Sequence, residues 1–144
     1  ERGIPTIQIN TGGGCHLDAG MVREAMHELS PEEGSIVFIE NVGNLICTAG
    51  YDLGERIRVL ALSTPEGDDK PHKYPGIFAG AEVLVITKSD VAEYVDFDAG
   101  ALRERALSLN PDLVVFEVSA RTGSGMDAWT DWLTARTREE SPCR

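Results

Sequence analysis

The sequence predicts an α/β fold in which a mostly parallel sheet is flanked by helices. Five short, β-branched apolar runs alternate along the chain with segments whose apolar residues recur at helical spacing. Most of these runs are apolar at consecutive rather than alternate positions, which marks strands buried on both faces, as in a parallel sheet covered by helices.

The predicted strands are residues 6–10 (TIQIN), 35–40 (SIVFIE), 58–63 (RVLALS), 82–87 (EVLVIT) and 113–119 (LVVFEVS). Between the first two, Asp18 is suited to cap a helix that buries Ala19, Val22, Met26 and Leu29 and stops at Ser30-Pro31 and Gly34. A second helix is expected from about Phe97 to Leu109, with Leu102, Ala106 and Leu109 on one stripe and Asn110-Pro111 closing it. The last begins near Gly125 and presents Met126, Trp129 and Leu133 on one face. With no repeat or linker in view, residues 1–137 read as one domain and residues 138–144 as a polar tail.

Composition narrows the classes. A chain of 144 residues with 42% apolar and 26% charged residues is an ordinary globular domain. Its 13 basic and 24 acidic residues give a net charge of −11, so a nucleic-acid backbone is repelled and nucleic acid is not an expected partner. No apolar run approaches the roughly 20 residues that span a bilayer, and no basic head with an apolar signal region opens the sequence. The expected setting is therefore the cytoplasm, with no membrane partner. Three cysteines, unevenly spaced, do not make a disulfide framework.

Four clusters carry possible chemistry. In Gly12-Gly13-Gly14-Cys15-His16 a glycine-rich turn before a helix ends in a thiol and an imidazole, donors that favour zinc, nickel or copper over magnesium. The alternative is a small buried Cys beside a capping His. Glu40-Asn41-Val42-Gly43, followed by Cys47, places a carboxylate and a glycine N–H after a buried strand, where metal and phosphate chemistry is done, or simply a strand-end acid and a turn glycine. Thr87-Lys88-Ser89-Asp90 and Ser119-Ala120 follow two further strands. There a carboxylate can accept both N1–H and N2–H of guanine while a lysine stem lies along the purine and the Ala120 N–H meets O6. A Cys15 nucleophile with its own neighbour His16 as base is disfavoured, because such bases reach the nucleophile across the fold. His27 and His72 read as solvated, the latter in a polar, switch-like loop around residues 67–71, and Cys143 as a free thiol in the tail.

With these residues in view, the chain resembles the hydrogenase nickel-incorporation GTPases, the HypB family of metallochaperones. The stretches INTGGGCHLDAGMV, VFIENVGNLICTAGYDLGE, STPEGDDKPHKYPGIF, VLVITKSD and EVSARTGSGMDAWTDWL follow the family order over nearly the whole length. The resemblance implies a P-loop GTPase domain of the SIMIBI type. It implies a metal site of Cys15, His16 and Cys47 at a two-fold dimer interface, loaded with Ni²⁺ or Zn²⁺. Glu40 and Gly43 stand at the Walker-B and switch positions, Thr87, Lys88 and Asp90 at the guanine-reading motif, and Ser119 and Ala120 at its last element. The implied function is nickel capture and release in hydrogenase maturation, coupled in the longer parent to GTP and Mg²⁺, with the hydrogenase large subunit and nickel-delivery accessory proteins as partners.

The sequence departs from the family in two places. No GxxxxGK[ST] loop occurs, and the only lysines are Lys70, Lys73 and Lys88. The chain thus reads as the C-terminal part of such a GTPase, truncated at its N-terminus and inactive as a catalyst. In the family the phosphate-loop strand lies inside the sheet, so its loss is expected to leave an edge that a second copy can cover. Thr87 stands where the motif carries Asn, and one hydroxyl cannot replace both amide contacts. The alternative function is a metal-linked dimerisation module without a nucleotide role.

Overall fold

The structure is a computed structural model describing residues 3–138. The chain divides into two compact units, residues 1–56 and 57–144.

The first unit holds one regular helix, α1 (Ala19–Leu29). It starts where expected, because the Asp18 carboxylate accepts the Met21 N–H at 2.8 Å, an N-cap contact worth about 1 kcal/mol. It ends at Ser30, whose left-handed backbone (φ 43°) lets its N–H reach the Met26 carbonyl at 3.0 Å before Pro31 forbids another turn. Val22 is buried, Met26 and Leu29 are half-buried, and Ala19 is exposed, so the helix buries a narrower stripe than its sequence suggests. Residues 47–50 form a short 3₁₀ turn.

Two expected strands in this unit are not formed: residues 6–10 and 35–40 carry no regular structure. A strand exists by pairing its N–H and C=O groups with a neighbour, and among the described residues neither segment has a ladder partner. Their side chains nevertheless alternate as strands do: Ile7, Ile9, Val37 and Ile39 are half-buried, whereas Phe38 is 72% exposed.

The second unit is a three-stranded parallel sheet with β1 (Val59–Ser63), β2 (Val83–Thr87) and β3 (Val114–Glu117) in that order. Central β2 buries Val83, Leu84, Val85 and Ile86, which accounts for its unbroken apolar sequence. Each such side chain contributes about 1.5–3 kcal/mol of hydrophobic stabilisation. On one face, Val83, Val85 and Val118 pack with Phe116, Met126, Trp129 and Trp132, the last three from α5 (Met126–Arg138). On the other lie Leu60, Leu62, Leu84 and Ile86, all buried.

Between β1 and β2 come α2 (Lys70–Lys73) and α3 (Pro75–Gly80), and before β3 comes α4 (Ala99–Leu109). Asp98 caps α4 by accepting the Ala101 N–H at 2.9 Å, and Leu102 and Ala106 are fully buried, while Leu109 turns outward. The polar segment at residues 67–71 is not an open loop. Pro71 is buried, and Asp68 is tied to α4 by the Asp98 N–H at 3.0 Å and by Arg105 Nη1 at 2.6 Å. The Asp98 N–H and the Arg105 guanidinium hold the Asp68 carboxyl below the usual carboxylate range. His27 and His72 are exposed, as expected. Cys143 and most of the expected tail lie outside the described residues.

Candidate functional site

Residues 11–14 reverse the chain just before Cys15. Gly12 and Gly13 both adopt positive φ (63° and 88°), which side-chain-bearing residues resist, and Gly14 N–H closes the turn on the Thr11 carbonyl at 3.0 Å. Cys15 emerges exposed, and its sulfur lies 3.6 Å from Nδ1 of His16. The His16 ring stacks on Tyr51 with centroids 3.7 Å apart and planes at 17°, which restrains the imidazole.

The turn after residue 40 brings the second thiol to the first. Cys47 is half-buried, and both cysteines are free thiols. The neighbouring Cys15 thiol, and after it Asn44, holds the Cys47 thiol below its ordinary range. The Cys15 thiol is pushed up, chiefly by Cys47. Among the described residues no group of three or more His, Cys, Asp or Glu side chains is gathered closely enough to enclose a metal ion. Cys15, His16 and Cys47, expected from the sequence as the metal ligands, thus do not enclose a metal site within this one chain. Glu40 and Gly43 are exposed in the same unit, and a Cβ at Gly43 would meet nothing within 4 Å.

In the second unit the loops that follow β2 and β3 meet. Lys88 takes a left-handed backbone (φ 58°, ψ 38°), uncommon for a residue with a side chain. Its carbonyl accepts the hydroxyl of buried Thr64 at 2.9 Å and the Val91 N–H at 3.1 Å, and the next N–H, of Ser89, donates to the Val118 carbonyl at 3.1 Å. Asp90 receives the hydroxyl of fully buried Ser119 at 2.6 Å and, on its other oxygen, Arg121 Nη1 at 3.4 Å. The Ser119 bond is the main cause of a lowered Asp90 pKa, so this carboxylate is charged and aimed. Lys88 and Ala120 are exposed beside it, and Thr87 is half-buried at the end of β2. A carboxylate oriented by a serine can accept from a planar donor–donor edge. The sequence pattern of the CobW/HypB/UreG nucleotide-binding domain matches residues 1–117.

The chain belongs to the CobW/HypB/UreG family. The hydrogenase maturation factor HypB of Rhizobium leguminosarum bv. viciae is 53% identical over 133 residues, covering 92% of this chain and 44% of the relative. That of Escherichia coli K12 is 47% identical over 131 residues, covering 91% and 45%. The chain therefore spans less than half the length of either. Of solved structures, HypB from Archaeoglobus fulgidus superposes with a TM-score of 0.84 at 40% identity, over 90% of this chain and 63% of that one. HypB from Helicobacter pylori in complex with nickel gives 0.87 at 35%, over 95% and 66%. These neighbours agree with the parallel α/β architecture expected of a CobW/HypB/UreG member.

Three residues of this family member escaped the sequence reading. Arg121 lies within the quoted EVSARTG stretch, but nothing local tells that it turns onto Asp90. Thr64 opens a 3₁₀ turn fixed by the Ser63–Glu66 capping box, a legible signal, yet its partner Lys88 is 24 residues away. Asn44 is the third.

Proposed function

We propose that this chain is the metal-handling and guanine-reading part of a HypB-type nickel metallochaperone of hydrogenase maturation. The observation that carries the reading is that Asn44 ties the backbones of Cys15 and Cys47 together beside His16, in a chain similar to a HypB solved in complex with nickel. The cargo is Ni²⁺, with Zn²⁺ accepted by the same donors. Because one chain presents an open-sided set, a second copy related by a two-fold axis supplies the remaining donors, giving a homodimer bridged by metal. Asp90, Ser119, Lys88, Thr87 and Ala120 bind guanine, while Glu40 and Gly43 serve Mg²⁺ and phosphate in a longer GTP-hydrolysing chain. Such a chaperone works in the cytoplasm with the hydrogenase large subunit and other nickel-delivery proteins. Among the described residues no helix is long and apolar enough to cross a membrane.

Titration of the chain with Ni²⁺, read by metal affinity and by sedimentation, tests the reading. Cys15→Ala and Cys47→Ala weaken binding and the metal-promoted part of dimerisation, and Cys143→Ala does neither. Affinity falls as pH drops, because thiols must lose their protons to bind the ion. Full retention after loss of Cys15, or equal loss on removal of Cys143, overturns it. A second reading, a metal-linked dimerisation module without nucleotide function, is favoured by Arg121 and Ser119 together occupying both Asp90 oxygens. Binding of a fluorescent GDP analogue separates the two, with millimolar or weaker affinity supporting the module.

A further inference from the structure

Every polar atom of the Asn44 side chain is spent on the two thiol-bearing loops. Its Nδ2 donates to the Cys15 carbonyl at 2.8 Å, across 29 residues of sequence. Its Oδ1 accepts the Ile46 N–H at 3.0 Å and the Cys47 N–H at 2.9 Å. The Thr48 hydroxyl donates to the Asn44 carbonyl, closing the turn from the other side. A parallel tie lies three residues earlier, where Asn41 Oδ1 accepts the N–H of buried Leu17 at 3.0 Å and that of Val42 at 2.9 Å. The Cys15-His16 segment is thus gripped on both flanks, at the Cys15 carbonyl and the Leu17 N–H, by the two asparagines that bracket Val42-Gly43.

We infer that Asn44 is a positioning residue for metal capture: by bridging the backbones of Cys15 and Cys47 it sets the spacing of the two thiols and joins the metal loop to the turn that contains Gly43. The inference rests on the metal reading of Cys15 and Cys47 above. Two loops tied together before the ion arrives spare the ion the cost of ordering them, so affinity depends on the clamp as well as on the donors. Asparagine suits the task because it donates at one end and accepts at the other. Aspartate keeps the bonds from Ile46 and Cys47 and loses the one to Cys15.

The test is a Ni²⁺ titration of the full chain followed by the sulfur-to-nickel charge-transfer band, with far-ultraviolet circular dichroism of each metal-free variant. Asn44→Ala is expected to weaken Ni²⁺ binding by about 10–100-fold, the usual effect of removing a group that orients metal ligands, and to alter the charge-transfer band while leaving helix content unchanged. Asn44→Asp, which retains the local turn, carries the same test if the alanine variant does not fold, and is expected to show the altered band with an intermediate affinity. Wild-type affinity and band shape in a folded Asn44 variant, with binding lost in Cys15→Ala and Cys47→Ala, overturn the positioning role and leave the metal reading standing. Binding unchanged in the two cysteine variants removes the metal reading, and the inference falls with it.

Discussion

Gly125 is the residue whose replacement has the most calculable cost. It sits at φ 70° ahead of α5, and a Cβ there would stand 2.1 Å from the Glu117 carbonyl oxygen and 3.4 Å from the Val118 Cα. Gly123, two residues earlier, has φ 83° but open space around the missing Cβ. The two alanine variants therefore separate two effects. Both incur the left-handed penalty of roughly 1–2 kcal/mol, offset by about 0.4–1 kcal/mol because alanine restricts the unfolded chain. Only Gly125→Ala also forces β3 and the start of α5 apart, a backbone displacement that overpacking studies place at about 1–3 kcal/mol. Urea unfolding is expected to show Gly123→Ala destabilised by about 1 kcal/mol or less and Gly125→Ala by about 2–4 kcal/mol. Equal destabilisation, within about 0.5 kcal/mol, refutes the steric argument. Because Ser119 N–H donates to the Ser124 carbonyl at 2.9 Å, the displacement reaches the loop that orients Asp90.

Three further outcomes are expected. Ser119→Ala leaves the Asp90 carboxylate and the Thr122 N–H short of a partner and removes stabilisation, lowering the urea midpoint near neutral pH. Since the folded Asp90 pKa is depressed, that stabilisation is complete above the unfolded value of about 3.9 and is lost as pH falls through the lower folded value. The gap between wild-type and variant urea midpoints should narrow on acidification, and a constant gap contradicts the assignment. Asp68→Ala releases Arg105 and the Asp98 N–H, so limited proteolysis should open residues 64–74 faster than in wild type; an unchanged cleavage rate refutes the anchoring role. With no GxxxxGK[ST] loop to place phosphates, this chain should release no phosphate from GTP above the buffer rate, and metal-dependent release abolished by Glu40→Gln would overturn that expectation.

Features that depend on neighbours in sequence were legible. Asp18 and Asn110-Pro111 mark helix ends found in the structure, since capping is satisfied within one turn. Residues 82–87 announce a central strand because burial on both faces writes itself as an unbroken apolar run. Residues 6–10 alternate and residues 35–40 hold an unbroken apolar stretch, yet composition does not name the backbone that must pair with them. Pro71 sits near the start of α2, where a missing N–H costs nothing, but the charge and glycine before it suggested only a loop. At the site, Cys15, Cys47, Asp90 and Ser119 were readable as residue types in motifs. The contacts that orient them, from Asn44, Thr64 and Arg121, span 24 to 31 residues and leave no periodic trace.

The two tryptophans of the chain, Trp129 and Trp132, share one face of α5, with ring centroids 5.8 Å apart and planes at 14°, and Phe116 meets both edge-on. All of the indole fluorescence therefore arises from residues 57–144, where it reports the docking of α5 on β3, and residues 1–56 are optically silent at those wavelengths. Stacked indoles this close also couple their electronic transitions, which adds a signed circular-dichroism doublet that is lost when α5 unravels. Melting followed by that doublet and melting followed by the far-ultraviolet helix signal, to which α1 contributes, will coincide if the two units unfold as one cooperative body and diverge if they do not.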